Sequence, residues 1–167
     1  PVTASYIVLA VLAAPSLTDL GASLLAAHLL IFWYSQDANV TPPVCLAAYS
    51  AAGIAGSDPL RTGLESWKIA KGLYIIPLLF CYTPILFQGP LWKTFETLAA
   101  ATLGLLAFAI ASEGFHLKPL LVPSRFLYFV AAVLLLFPAW QFHIGGGVVF
   151  LVLYTLQRSK PYPAPSV

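Results

Sequence analysis

The sequence predicts an all-α integral membrane protein, and three observations carry that expectation. Apolar residues fill 60% of the 167 positions, only 8% are charged, and mean hydropathy is +0.88. An ordinary soluble domain carries about 25% charged residues, so a soluble globule of this composition would lack the charges to cover its surface. At about 20 residues per crossing the length allows roughly four or five passes. A net charge of +2 builds no basic patch, which excludes nucleic acid. No nucleophile triad, metal-ligand spacing or cofactor motif argues for an enzyme.

The elements follow from apolar runs and their interruptions. Residues 4–15 form a run too short to span, as expected of a re-entrant arm or half-helix. Thr18 and Asp19 offer an N-cap for a second stretch, 20–34. A polar run at 35–43 ends in Pro42-Pro43, and residues 44–56 are again helical in character. Each flanking half is too short to cross alone at 1.5 Å per residue, so the two read as one discontinuous span with its break at mid-depth. Proline lacks an amide proton and disfavours helix at the residue before it. Carbonyls freed there must face protein, water or a cation. Ala48, Ala52 and Gly56 form a small-residue stripe suited to close helix packing.

After a polar turn at 56–61, Thr62 and Glu65 read as a capping box opening a helix to about residue 87, kinked at Pro77 and Pro84. A connection at 88–90 precedes a span over 91–111. Residues 112–124 form a polar connector ending in Ser124, a candidate cap. The apolar stretches 125–137 and 144–157 are a hairpin or one kinked helix. The hairpin places seven of the eight basic residues on one face, leaving Lys93 opposite, as the positive-inside rule prefers. It is therefore favoured, with a cytoplasmic C-terminus. The Pro-rich tail, 161–167, is expected to be disordered. The first residue is Pro with no basic leader, so the sequence reads as a fragment or processed piece.

The candidate chemistry lies in the break. Asp37, Asn39 and Thr41 alternate through it, and an acidic residue within a bilayer is functional by default. Carboxylate, amide and hydroxyl oxygens, with carbonyls freed near Pro42 and Pro43, are the hard ligands an alkali cation takes. The competing reading is that Asp37 caps the second half-helix or snorkels to an interface. His28 suggests packing or a hydrogen bond to a carbonyl. His116 and His143 suggest nothing specific, and the four tryptophans suggest interface anchors. Cys45 and Cys81 read as small hydrophobes. Gly145-Gly146-Gly147 lacks the following Lys of a phosphate loop.

The run Ala27-His28-Leu29-Leu30-Ile31-Phe32-Trp33-Tyr34, then Thr41-Pro42-Pro43-Val44 and Leu46-Ala47-Ala48-Tyr49-Ser50-Ala51-Ala52-Gly53-Ile54-Ala55-Gly56, resembles the large permease part of TRAP transporters. These are the tripartite ATP-independent periplasmic transporters, and the likeness is to their fused-permease branch. Pro1-Val2-Thr3-Ala4-Ser5-Tyr6 is similar to the tip of that family's second re-entrant hairpin, with Val2 and Ser5 as departures. The resemblance implies that residues 1–87 are the C-terminal part of a transport domain and 88–160 additional transmembrane helices. It further implies elevator-type, Na+-driven uptake of organic acids, chiefly carboxylates, across a bacterial inner membrane. A periplasmic substrate-binding protein and the remainder of the permease would be its partners. Thr3, Ala4, Thr41, Pro42 and Pro43 would border the substrate and cation sites, with Na+ at Thr41 and Asp37. The segment 35–39 departs from the commoner family pattern. A non-transporting scaffold, left by truncation of a permease gene, is the alternative.

Overall fold

A computed structural model describes residues 2–159, which are helical with a single isolated bridge between Phe115 and Pro119 and no strand among them. They divide into two compact units that meet at Leu86 and Phe87. The tail expected to be disordered lies outside the described residues.

The first unit begins with α1 (Val2–Leu12) and α2 (Ala14–Asp19), which fold back on α3 (Leu24–Asp37). Burying Ala14, Ala27 and Ile31 joins them, with Tyr6 and Leu17 packed alongside. The Tyr6 ring meets Phe32 edge-on, and its hydroxyl bonds Nδ1 of His28 at 3.0 Å. His28 therefore bonds a tyrosine rather than a carbonyl. Thr18 and Asp19 end α2 instead of capping α3. Gly21, at a φ of 98°, turns the chain, and the Ser23 hydroxyl caps α3 by accepting from the Ala26 amide. A left-handed residue is what glycine accommodates without a Cβ penalty, so the turn falls there and the cap just after.

Helix α3 continues through Asp37, so the break starts at Ala38 rather than Ser35, and α4 (Leu46–Ala55) follows it. Ala48 and Ala52 are buried, but Gly56 is the left-handed C-cap of α4, not a third rung of the stripe. The close approach instead uses Gly63 of α5 (Pro59–Ile69), where an added Cβ would sit 2.9 Å from the Tyr49 ring. The start of α5 also differs from expectation. Asp58 is its N-cap, accepting from the Arg61 amide at 2.7 Å, and Pro59 occupies the first turn. Proline there gives up an amide that had no helical partner. Thr62 instead donates to the Asp58 carbonyl, and Glu65 pairs with Lys68 at 2.7 Å. The expected long kinked helix is three pieces: α5, a 3-10 segment Ala70–Tyr74, and α6 (Ile76–Tyr82) with Pro77 in its first turn, followed by a 3-10 turn Pro84–Leu86.

The second unit is an antiparallel arrangement of α7 (Leu91–Glu113), α8 (Val122–Leu136) and α9 (Trp140–Ser159). Among the described helices α7 alone is long and apolar enough to cross a membrane unaided. Its C-terminus is a left-handed Gly114. Ser124 lies inside α8, whose start carries Pro123 and no side-chain cap. The residue before a proline avoids the helical region, and α8 accordingly stops at Phe137-Pro138. Tyr128 packs on Phe150 and Gly146 meets Leu135, so α8 and α9 form the hairpin. The core is Ala107, Ile110, Ala111, Tyr128, Ala131, Ala132 and Leu153.

Two histidines there have specific partners, contrary to expectation. The His143 imidazole bonds Oε1 of Glu96 at 2.6 Å and the Phe137 carbonyl at 2.8 Å, tying α7 to the α8–α9 turn. His116 bonds the Tyr128 hydroxyl at 3.0 Å amid Phe150 and Tyr154.

Candidate functional site

The break between α3 and α4 is a compact loop whose backbone bonds itself. The Asp37 carbonyl accepts from the Val40 and Thr41 amides, Ala38 and Thr41 carbonyls from the Cys45 amide, and the Asn39 carbonyl from Ala47. Several carbonyls expected to be free are thus already paired. Cys45, fully buried, takes the N-cap position of α4 at a φ of 45° with no side-chain capping bond. That removes Asp37 as the cap of the second half-helix.

Asp37 sits on the last turn of α3, only 7% exposed, and its Oδ2 is buried without a hydrogen-bond partner among the described residues. Helical periodicity puts Ala27, Ile31 and Ser35 on one buried flank of α3 and Asp37 nearly opposite it, in line with the buried Ala26 eleven residues before. Ser35 satisfies itself by donating to the Ile31 carbonyl at 2.8 Å. Asp37 has no such local acceptor-to-donor solution.

The opposite wall is the 3-10 segment after α5. The Trp33 indole donates to the Leu73 carbonyl at 3.0 Å, and the Tyr34 hydroxyl to the Tyr74 carbonyl at 2.9 Å. The Thr41 and Tyr74 hydroxyls bond each other. A 3-10 segment leaves carbonyls turned outward that an α-helix would use internally, and these aromatic donors take them. Trp33, which also meets Phe80 edge-on, is therefore an internal tie rather than an interface anchor.

Together Tyr34, Asp37, Thr41, Pro42, Pro43 and Tyr74 line an open recess of about 330 Å³. The Pro42-Pro43 bond in its wall is cis. Four candidates, Asp37, Thr41, Pro42 and Pro43, share this recess. Asn39 does not line it; its side chain bonds Gln36 at 3.3 Å. Thr3 and Ala4 are exposed on α1, apart from the recess walls. Tyr6 on the same helix packs against His28 and Phe32 of α3. Tyr34 and Tyr74 were missed from the sequence. Tyr34 hides in an apolar run, and the faint signal for Tyr74 is the Ala70-Lys71-Gly72 interruption before it. Among the described residues no group of three or more His, Cys, Asp or Glu side chains gathers as a metal centre.

A family model described as tripartite ATP-independent periplasmic transporter, DctM component, matches residues 1–87. No curated protein and no solved structure matches the chain.

Proposed function

Because the chain belongs to the DctM component family of tripartite ATP-independent periplasmic transporters, we propose that its first unit forms one wall of a cation-coupled transport site. The family is one of membrane permeases, not of enzymes. The reading is uptake of organic acids, carboxylates among them, driven by a Na+ gradient across a bacterial inner membrane. A periplasmic substrate-binding protein delivers the substrate, and the remainder of the permease supplies the other walls, with Thr3 and Ala4 near the substrate path.

The observation that carries it is the unpartnered Oδ2 of Asp37 in the recess of Thr41 and Tyr74. A buried carboxylate without a partner is costly, and it persists where a cation completes it. Na+ is a hard ion for oxygen ligands. Asp37 would bring the charge and Thr41 a neutral oxygen. If Thr41 donates its proton to Tyr74, both lone pairs of its hydroxyl stay free to coordinate. Tyr74 would then position Thr41, while Tyr34 and Trp33 hold the 3-10 wall in place. Binding of the cation would draw the end of α3, the break and that wall together, coupling occupancy to closure.

The test is uptake by proteoliposomes holding the permease that contains this chain, with its binding protein, titrated with Na+. Thr41→Val should weaken apparent Na+ affinity about tenfold, the loss expected for one buried oxygen partner. Asp37→Asn should weaken it further, since it removes the charge. Na+ dependence unchanged in both variants would overturn the cation assignment.

A further inference from the structure

The second unit, beyond the family match, carries a site of a different kind. We propose that a cavity between α8 and α9 seats the headgroup of an anionic phospholipid whose headgroup also bears hydroxyls, as in a phosphatidylglycerol.

Three features of that cavity converge. It has a volume of about 170 Å³, and its walls include Lys118, Ser124, Tyr128, Leu153, Leu156 and Gln157. Among the described residues the Lys118 ammonium makes one hydrogen bond, to the Gln157 carbonyl at 3.1 Å. An ammonium has three donors, so two remain for a phosphate. Arg125 differs, because its guanidinium is already committed to the Ala111 and Ser112 carbonyls. The second feature is the Gln157 side chain, whose Oε1 is buried with no partner among the described residues. It is an acceptor in want of a hydroxyl or N–H donor, which phosphate cannot supply and a polyol headgroup can. The third is position. Lys118 reaches the C-terminal end of α9 and Arg125 the C-terminal end of α7, so both lie at one end of the span, with Arg158 close by in sequence. Glu113 is the acidic residue at that end, leaving it net positive. Leu153 and Leu156 continue the cavity with apolar wall.

A cation, an unmet acceptor and an apolar wall at the end of two helices packed beside the spanning α7 match a phospholipid better than a free anion. Basic pockets between spanning helices on the cytoplasmic side hold anionic headgroups in this way. The proposal needs the helices to be embedded in a bilayer but does not depend on the Na+ site.

The experiment is native mass spectrometry of the full chain in detergent. Phosphatidylglycerol, phosphatidic acid and phosphatidylcholine of matched acyl chains are offered at equal concentration. The wild type should retain phosphatidylglycerol most and phosphatidylcholine least, a ranking that requires no variant to fold. Lys118→Met should cut retained phosphatidylglycerol about tenfold, the effect of losing one charge-assisted hydrogen bond. Lys118→Arg and Lys93→Met, the latter at the opposite end of α7, should keep it. Gln157→Leu should bring phosphatidylglycerol down to the level of phosphatidic acid. Equal retention of all three lipids, undiminished binding in Lys118→Met, or displacement by excess free glycerol phosphate would overturn the proposal.

Discussion

Protons and their acceptors explain the polar residues of this chain one at a time. His143 is held between two acceptors, the Phe137 carbonyl and the Glu96 carboxyl. His116 behaves differently. It lies in the connector before α8, where burial among aromatic rings lowers its pKa from the ordinary 6.5. The folded state thus binds this proton less readily than the unfolded state does. Stability from this residue is complete above about pH 6.5 and falls as pH drops through that value toward the depressed one. His116→Phe should flatten this part of the stability–pH curve while losing the bond to Tyr128, a cost of about 1 kcal/mol at neutral pH. Thermal unfolding of wild type and variant across pH 5 to 8 checks it; parallel curves would show that His116 does not titrate on unfolding.

Glycine is the informative residue at the scale of helices. In the Gly145-Gly146-Gly147 run of α9, a Cβ on Gly146 would lie 2.7 Å from the Leu135 side chain and 3.0 Å from the Ala131 oxygen and Leu135 nitrogen. Backbone cannot yield as a side chain can, so α8 and α9 would have to part. A Cβ on Gly145 or Gly147 would meet nothing within 4 Å. Gly146→Ala should therefore destabilise by about 1–3 kcal/mol, the usual cost of overpacking. Gly145→Ala and Gly147→Ala should be neutral or stabilise by about 0.5–1 kcal/mol through helix propensity. Helicity followed by circular dichroism during denaturation separates the three. The same contact lets α8 and α9 approach closely at this level, as small residues allow between helices in a membrane, while Tyr128 and Phe150 interlock elsewhere along the pair. It also shows why a motif with no phosphate role is still a packing device.

Charge placement governs the molecule as a whole. Within the second unit Lys118 contacts the Gln157 carbonyl and Arg125 the Ala111 carbonyl, so the basic residues gather at the end opposite Lys93. By the positive-inside rule that end is expected on the cytoplasmic side. Single cysteines at 118, 125 and 158 should label only from the cytoplasmic side in intact cells, and one at 93 only from the periplasmic side. Labelling of 158 from the periplasm would reverse the assignment.

Composition and interruptions by themselves pointed to an all-helical chain and to a break ending at Pro42-Pro43, because proline removes an amide wherever it stands. They misplaced the start of that break and read three helical pieces after Asp58 as one helix. The family was legible in the stretch from Thr41 to Gly56, and Asp37 stood out because charge within an apolar chain is rare. Local chemistry held further signals: Asp58-Pro59 and Ser23 are caps visible in the sequence, each beside a neighbour equally suited to the role. Only the tertiary structure decided which of Asp37, Asn39 and Thr41 share a recess, since a loop of this length can aim each side chain several ways. Only it brought in Tyr34 and Tyr74, separated by 40 residues along the chain. It likewise paired Glu96 with His143 across 47 residues and Lys118 with Gln157 across 39. Such partners leave no periodic trace, because a hydrogen bond between distant elements depends on how helices pack and not on the spacing of residues within either one.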